Sequence, residues 1–118
     1  KKFYVDILRF EISYERPEHK FIMMRFGDAQ IMLQELGADR EWITAPLEQP
    51  FGGGVNFQIQ TDNVDALYAR IQSARGKIFL PMEEKYCRTN KGDAGNRQFI
   101  VQDPDGYLLR FYQDLGTR

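Results

Sequence analysis

Histidine and cysteine are nearly missing from this chain: its 118 residues hold one of each, His19 and Cys87. No Cys–His or Ser–His–Asp constellation can be assembled from two such residues on unrelated strands, so nucleophilic catalysis has no support. A lone cysteine has no intrachain disulfide partner, which fits a reducing cytoplasm. Cys87 reads as a buried or half-buried strand residue, and His19 as a surface residue at the entry of a strand. No apolar run approaches the length of a membrane span, and no signal-peptide core precedes the first charged residues, so a soluble cytoplasmic protein is expected. An excess of one charge is missing too: Lys and Arg total 16 against 17 for Asp and Glu. Nothing in that balance draws the chain to nucleic acid or to an anionic membrane, and a small neutral or zwitterionic ligand fits better.

What is present is an ordinary globular composition, 42% hydrophobic and 28% charged, in a length that buries one core and makes one domain. Its most legible stretch is Gln98–Gln113, QFIVQDPDGYLLRFYQ. Asp103-Pro104-Asp105-Gly106 has the chemistry of a type I turn, with Asp at the first corner, Pro presetting φ at the second and Gly at the last. Beyond the turn, Leu109 and Phe111 alternate with Leu108, Arg110 and Tyr112, so one apolar face meets a core and Arg110 lies on the other face. A single Arg beside a Tyr on such a face is a site candidate.

Taken in order, Lys1–Leu8 places Phe3, Tyr4, Ile7 and Leu8 at helical spacing but has no capping residue before it. Strands are expected over Phe10–Glu15, His19–Phe26 and Gln30–Leu36, an antiparallel meander in which Ile31 and Leu33 face the core while Gln30, Met32 and Gln34 face away. Residues 37–54, with Pro46, Pro50 and three consecutive glycines, read as a linker. It carries Trp42 and Phe51, either in a loop folded back on its own sheet or in an aromatic lid or subunit contact. Val55–Thr61 is a strand with Val55, Phe57 and Ile59 on one face and Asn56, Gln58 and Gln60 on the other. Asn63 caps a helix over Val64–Ala74 that Gly76 ends. Lys77–Arg88, interrupted by Pro81, suits an edge strand, and Thr89–Asn96 a polar loop.

The two halves echo one another. Phe3-Tyr4 with Ile7 matches Leu67-Tyr68 with Ile71, and GDAQIMLQ from Gly27 lies over DGYLLRFY from Asp105. Each half is a strand, a helix and three strands, except that the first lacks its opening strand. About a dozen further residues are therefore expected ahead of Lys1.

A strand, the turn DPDG and a closing strand, VQDPDGYLLRF, resemble the end of a vicinal oxygen chelate chain, the superfamily of glyoxalases, extradiol dioxygenases and bleomycin-resistance proteins. The resemblance implies an α+β fold of two βαβββ modules, residues 1–36 and 55–118, whose curved sheets form a half-open cleft. Metal-dependent members hold a divalent ion there with His and Glu. Carried across residue by residue, those positions fall on Arg110, on its repeat mate Met32 and on Asn56, and the fourth lies in the missing strand. Arg brings a positive charge, Met is a soft thioether and Asn alone binds weakly, so no metal and no cofactor is expected.

Gly54–Arg70 and Asn96–Gly116 look most like the bleomycin-resistance branch, which is metal-free, dimeric and sequesters its drug in grooves between subunits. The resemblance thus implies a cytoplasmic homodimer binding a small molecule, such as a bleomycin-type glycopeptide, through Trp42, Phe51, Asn56, Gln58, Tyr86, Arg110 and Tyr112, with no catalytic residue. A metal-dependent glyoxalase or dioxygenase and a binder of an unrelated ligand stay open as alternatives.

Overall fold

The computed structural model describes residues 1–35 and 46–117, and the chain divides into two compact units, residues 1–49 and 50–118. Unit 1 opens with a wide helical turn, Phe3–Ile7, in which the Leu8 N–H reaches the Phe3 carbonyl at 3.0 Å, an i→i+5 bond. The sequence expects a regular helix face over Lys1–Leu8. The wider turn instead gathers Phe3, Tyr4, Leu8 and Phe10 into one buried cluster, with Tyr4 edge-on to both Phe3 and Phe10 at 5.4 Å.

Three strands follow as the expected meander: β1 (Glu11–Arg16), β2 (Phe21–Phe26) and β3 (Ala29–Gln34), in the order β1-β2-β3. Pro17–His19 forms a single 3₁₀ turn between the first two, so His19 lies in an exposed connection rather than in a strand. Ile22 and Met24 are buried and pair with Leu33 and Ile31, as the alternation of the third strand requires. In the sequence FEISYE, Phe10, Ile12 and Tyr14 alternate with polar residues, but that alternation does not hold in the sheet. A β-bulge between Ile12 and Tyr14 pairs Ile12 with the buried Met24 but Tyr14 with Met23, on opposite faces of the sheet.

Unit 2 is a complete βαβββ module: β4 (Asn56–Gln60), α1 (Val64–Ser73), β5 (Lys77–Thr89), β6 (Gly92–Gln102) and β7 (Leu108–Thr117). The sheet runs β4-β7-β6-β5, with β4 parallel to β7 and the other pairs antiparallel. One face carries the core. Ile59, Phe99, Val101, Leu109 and Phe111 are buried together with Val64, Leu67 and Ile71 of α1, and the Tyr68 ring lies 4.9 Å from Phe99. Arg97 adds an ion pair to Asp65 at 2.8 Å, fastening the first turn of α1 to β6. Val55 and Phe57, expected on one face with the buried Ile59, are each 48% exposed. Val55 lies in the turn before β4, where its N–H meets the Gly52 carbonyl at 3.0 Å, and the Phe57 ring turns to Tyr107 instead, 6.4 Å away.

The caps of α1 follow the sequence at one end and depart from it at the other. Asn63 Oδ1 accepts the Ala66 N–H at 3.1 Å, and Gln113 Oε1 accepts the Val64 N–H at 3.1 Å, so two amides of the first turn are satisfied. At the C-terminus the Arg75 N–H bonds the Gln72 carbonyl and the Gly76 N–H bonds the Ile71 carbonyl, a Schellman motif. The left-handed residue is Arg75, at φ 58°, not Gly76. Gly76 is needed for a different reason: a Cβ there would stand 2.5 Å from Ile71 Cγ2.

Edge strand β5 runs through Pro81 as expected, with register shifts on both sides of Leu80. Thr89–Asn96 is not a loop, because only Asn90 and Lys91 lie between β5 and β6. Thr89 Oγ1 donates to the Gly92 carbonyl at 2.6 Å and accepts the Lys91 N–H at 3.2 Å, which closes a tight hairpin in place of a longer connection. Cys87, near that hairpin on the edge strand, is exposed rather than buried. No helix among the described residues is long and apolar enough to cross a membrane.

Two substitutions separate the roles of the α1 terminus. Arg75→Gly relieves the left-handed strain and is expected to stabilise the protein by about 0.5–1 kcal/mol in urea unfolding. Gly76→Ala, driven into the fully buried Ile71, should destabilise it by about 1–3 kcal/mol.

Candidate functional site

Strand register in unit 2 assigns each side chain to the helix-bearing face or to the opposite, open face. Parallel pairing sets Asn56, Gln58 and Gln60 of β4 beside Leu108, Arg110 and Tyr112 of β7. Antiparallel pairing sets Leu108, Arg110 and Tyr112 beside Gln102, Ile100 and Gln98 of β6. On β5, Leu80 pairs with Ile100 and Glu83 with Gln98. Two rows result, Gln58–Arg110–Ile100–Leu80 and Gln60–Tyr112–Gln98–Glu83, with adjacent members about 5 Å apart. Arg110 therefore has an amide on one side and an aliphatic side chain on the other.

The polar groups of this face divide into engaged and unengaged. Gln98 is 5% exposed and donates from Nε2 to Glu83 Oε2 at 3.0 Å. Gln102 donates to the Gly106 carbonyl at 3.2 Å, tying the face to the hairpin turn. Asp114 accepts the Gly116 N–H at 2.8 Å. Arg110 is different: its Nε is buried without a hydrogen-bond partner, and no ion pair of the described residues includes it. A buried donor without a partner costs about 1–3 kcal/mol, more when charged.

Of the residues expected to border a ligand, Asn56, Gln58, Arg110 and Tyr112 share this open face. Tyr86 does not, since it lies three positions along β5 from Glu83 and pairs with Gly95. Its ring occupies the space that a Cβ at Gly95 would fill, a packing role. Phe51 does not either: it lies 6.1 Å from Tyr107 at the hairpin end, where its N–H bonds the Asp105 carbonyl at 2.9 Å. Trp42 lies outside the described residues. Sequence reasoning missed Gln98, Ile100, Leu80 and Glu83. The signal for the first two was present in QFIVQ, where Gln98, Ile100 and Gln102 alternate with the buried Phe99 and Val101.

Unit 1 has an open face of another character. Tyr14, Met23 and Met32 form one row across it and Arg16, Phe21 and Gln34 another. The Arg16 guanidinium sits 4.1 Å over the Phe21 ring, and Met32 is 62% exposed.

Residues 1–111 match the family described as the Glyoxalase/Bleomycin resistance protein/Dioxygenase superfamily. The chain belongs to that superfamily. A glyoxalase/bleomycin resistance protein/dioxygenase superfamily member from Vibrio splendidus 12B01 is 39% identical, with 97% of this chain and 86% of that one covered at a TM-score of 0.49. TioX from Micromonospora sp. ML1 is 20% identical over 97% of this chain and 86% of its own, at a TM-score of 0.71. A glyoxalase/bleomycin resistance protein/dioxygenase from Alicyclobacillus acidocaldarius is 20% identical over 97% and 80%, at 0.62. No curated protein matches the chain.

For a glyoxalase-superfamily chain, the residues on the open face of unit 2 do not fit a divalent ion. Register places Asn56 and Arg110 on that face as near neighbours, so two positions that the resemblance assigns to metal ligands carry an amide and a guanidinium. A fixed cation repels a second one, and no lone pair on Arg is available to coordinate it. Among the described residues, no three His, Cys, Asp or Glu side chains gather where they could hold a metal ion.

The orphaned Nε makes Arg110 a site of stored instability. Arg110→Met keeps the aliphatic stem and removes the unpartnered donor, and it is expected to raise the unfolding free energy by about 1 kcal/mol in chemical denaturation.

Proposed function

We propose that this chain is a metal-independent small-molecule binding protein, of the kind found among bleomycin-resistance proteins, and not a metal-dependent lyase or dioxygenase. One observation carries the reading: Arg110, a fixed cation with a buried and unpartnered donor, lies on the open face, at the position to which the resemblance assigns the carboxylate of metal-dependent members. Around it the face offers the exposed amides of Asn56, Gln58 and Gln60 and the ring of Tyr112, donors, acceptors and stacking surface without an acid–base pair or a nucleophile. Such a set orients a ligand and leaves it chemically unchanged.

A bleomycin-type glycopeptide is the ligand that the resemblance implies, held in a groove that a second copy of the chain completes. The fit to a drug recognised by positive charge is weakened by the near balance of 16 basic and 17 acidic residues. Protein purified without chelator is expected to hold far less than one divalent ion per chain, and Arg110→Glu alone should not create tight metal binding while Asn56 remains. Elemental analysis that finds close to one ion per chain overturns the proposal. With bleomycin A2 as probe, binding near 100 times its Kd should stabilise the protein by ~2.7 kcal/mol, equally with EDTA and with Mn²⁺. Stabilisation that appears only with Mn²⁺ would favour the metal-dependent alternative, and light scattering tests the dimer.

A further inference from the structure

We infer that the molecule held on the open face of unit 2 carries an anionic oxygen pair, a carboxylate or a phosphate, which docks on the Nε–Nη edge of Arg110. The inference rests on the binding reading given above and adds the chemical class of the ligand to it. Its starting point is the specific atom left without a partner. In an arginine, Nε and the neighbouring Nη present two parallel N–H groups at the spacing of two oxygens on one carbon or phosphorus. Nε is the inner member of that fork, here buried and unpartnered. A terminal nitrogen can turn to solvent, but a buried Nε is satisfied only by a group that reaches it along the edge of the guanidinium plane.

Neighbouring acids on the same face do not fill that role. Glu83 accepts from Gln98, one row away from Arg110, and Asp114 accepts from the Gly116 backbone. The charge of Arg110 is thus left available in a row whose other members, Gln58, Ile100 and Leu80, carry none. Gln58 is exposed beside it and can donate to the same anion or accept from its neutral part. Ile100 and Leu80 on the other side offer an apolar surface against which the body of an organic anion packs, and their low polarity strengthens the charge-assisted bond. An anionic head on Arg110 and an apolar or planar body toward Ile100 and Leu80 is the ligand outline that results.

The test reads Arg110 directly. In the full chain, the ¹⁵N-edited Nε–Hε resonance of Arg110 is followed while sodium benzoate, phenyl phosphate or neutral benzamide is added, each with EDTA and with Mn²⁺. A saturable shift with benzoate or phenyl phosphate, absent with benzamide, is expected, and the anion that binds more tightly identifies the carboxylate or the phosphate source. Arg110→Lys keeps the charge without the fork and should weaken the anion by about tenfold or more, whereas Arg110→Gln should abolish it, each at an unaltered fold by circular dichroism. No saturable shift with either anion, an equal shift with benzamide, or undiminished anion binding by the Gln variant overturns the inference. An anion response that needs Mn²⁺ sinks the metal-independent reading instead, so the two failures are told apart.

Discussion

The position of Arg110 depends on a buried carboxylate in the hairpin turn, Asp103, which directly follows the last paired residue of β6. Asp103 is 5% exposed, and its Oδ1 accepts the N–H groups of Asp105 at 3.0 Å and Tyr107 at 2.8 Å. The backbone of the same residue closes the hairpin, with its carbonyl bonded to the Gly106 N–H and its N–H to the Tyr107 carbonyl. Charge-assisted bonds of this kind are stronger than neutral ones, and together they leave the turn a single length. Turn length fixes register, and a slip of one residue moves every side chain to the other face. Arg110 would then meet α1, and the buried Leu109 and Phe111 would face outward. Gly106, at φ 106°, serves the same end, since a Cβ there would lie 2.6 Å from Pro50.

What was legible in the sequence is what local chemistry decides. The turn, the cap at Asn63, the meander and the alternation of β7 each depend on residues within a few positions of one another. So does the assignment of Asn56, Gln58, Arg110 and Tyr112 to one face, because period-two alternation is a property of a single strand. What was not legible depends on pairing partners or on one irregular residue. The bulge at Ser13 sends Ile12 and Tyr14 to opposite faces, and nothing in FEISYE marks it. Tyr86 looks like a ligand contact until its partner is known to be Gly95. Thr89–Asn96 has a loop's composition, yet a single hydroxyl closes it into two strands. Arg75 takes the left-handed site although a glycine stands next to it, because that glycine is held by Ile71.

The open faces of the two units show how far a sequence repeat has diverged in chemistry while keeping its pattern of strands. Met32 and Arg110 occupy matching places in the repeat. In unit 1 the surroundings are Tyr14, Phe21 and Met23, a soft and polarisable set whose cations are engaged, Arg16 over an aromatic ring and Arg25 in an ion pair with Glu11. In unit 2 they are amides and a guanidinium without a partner. Among the described residues, neither face gathers three His, Cys, Asp or Glu side chains where they could hold a divalent ion.

That divergence also explains why the core side of unit 2 tolerates an unsatisfied cation on its other side. A buried donor without a partner weakens the fold by an amount comparable to one missing hydrogen bond. Against it stand five large side chains of the sheet and three of α1 buried in continuous contact, each contributing roughly 1.5–3 kcal/mol by burial. The helix-bearing face therefore carries most of the burial that stabilises the unit, enough to offset an unsatisfied donor on the open face. Because alternate residues of one strand serve the two faces, the buried Leu109 and Phe111 anchor the backbone from which Arg110 projects to the opposite face.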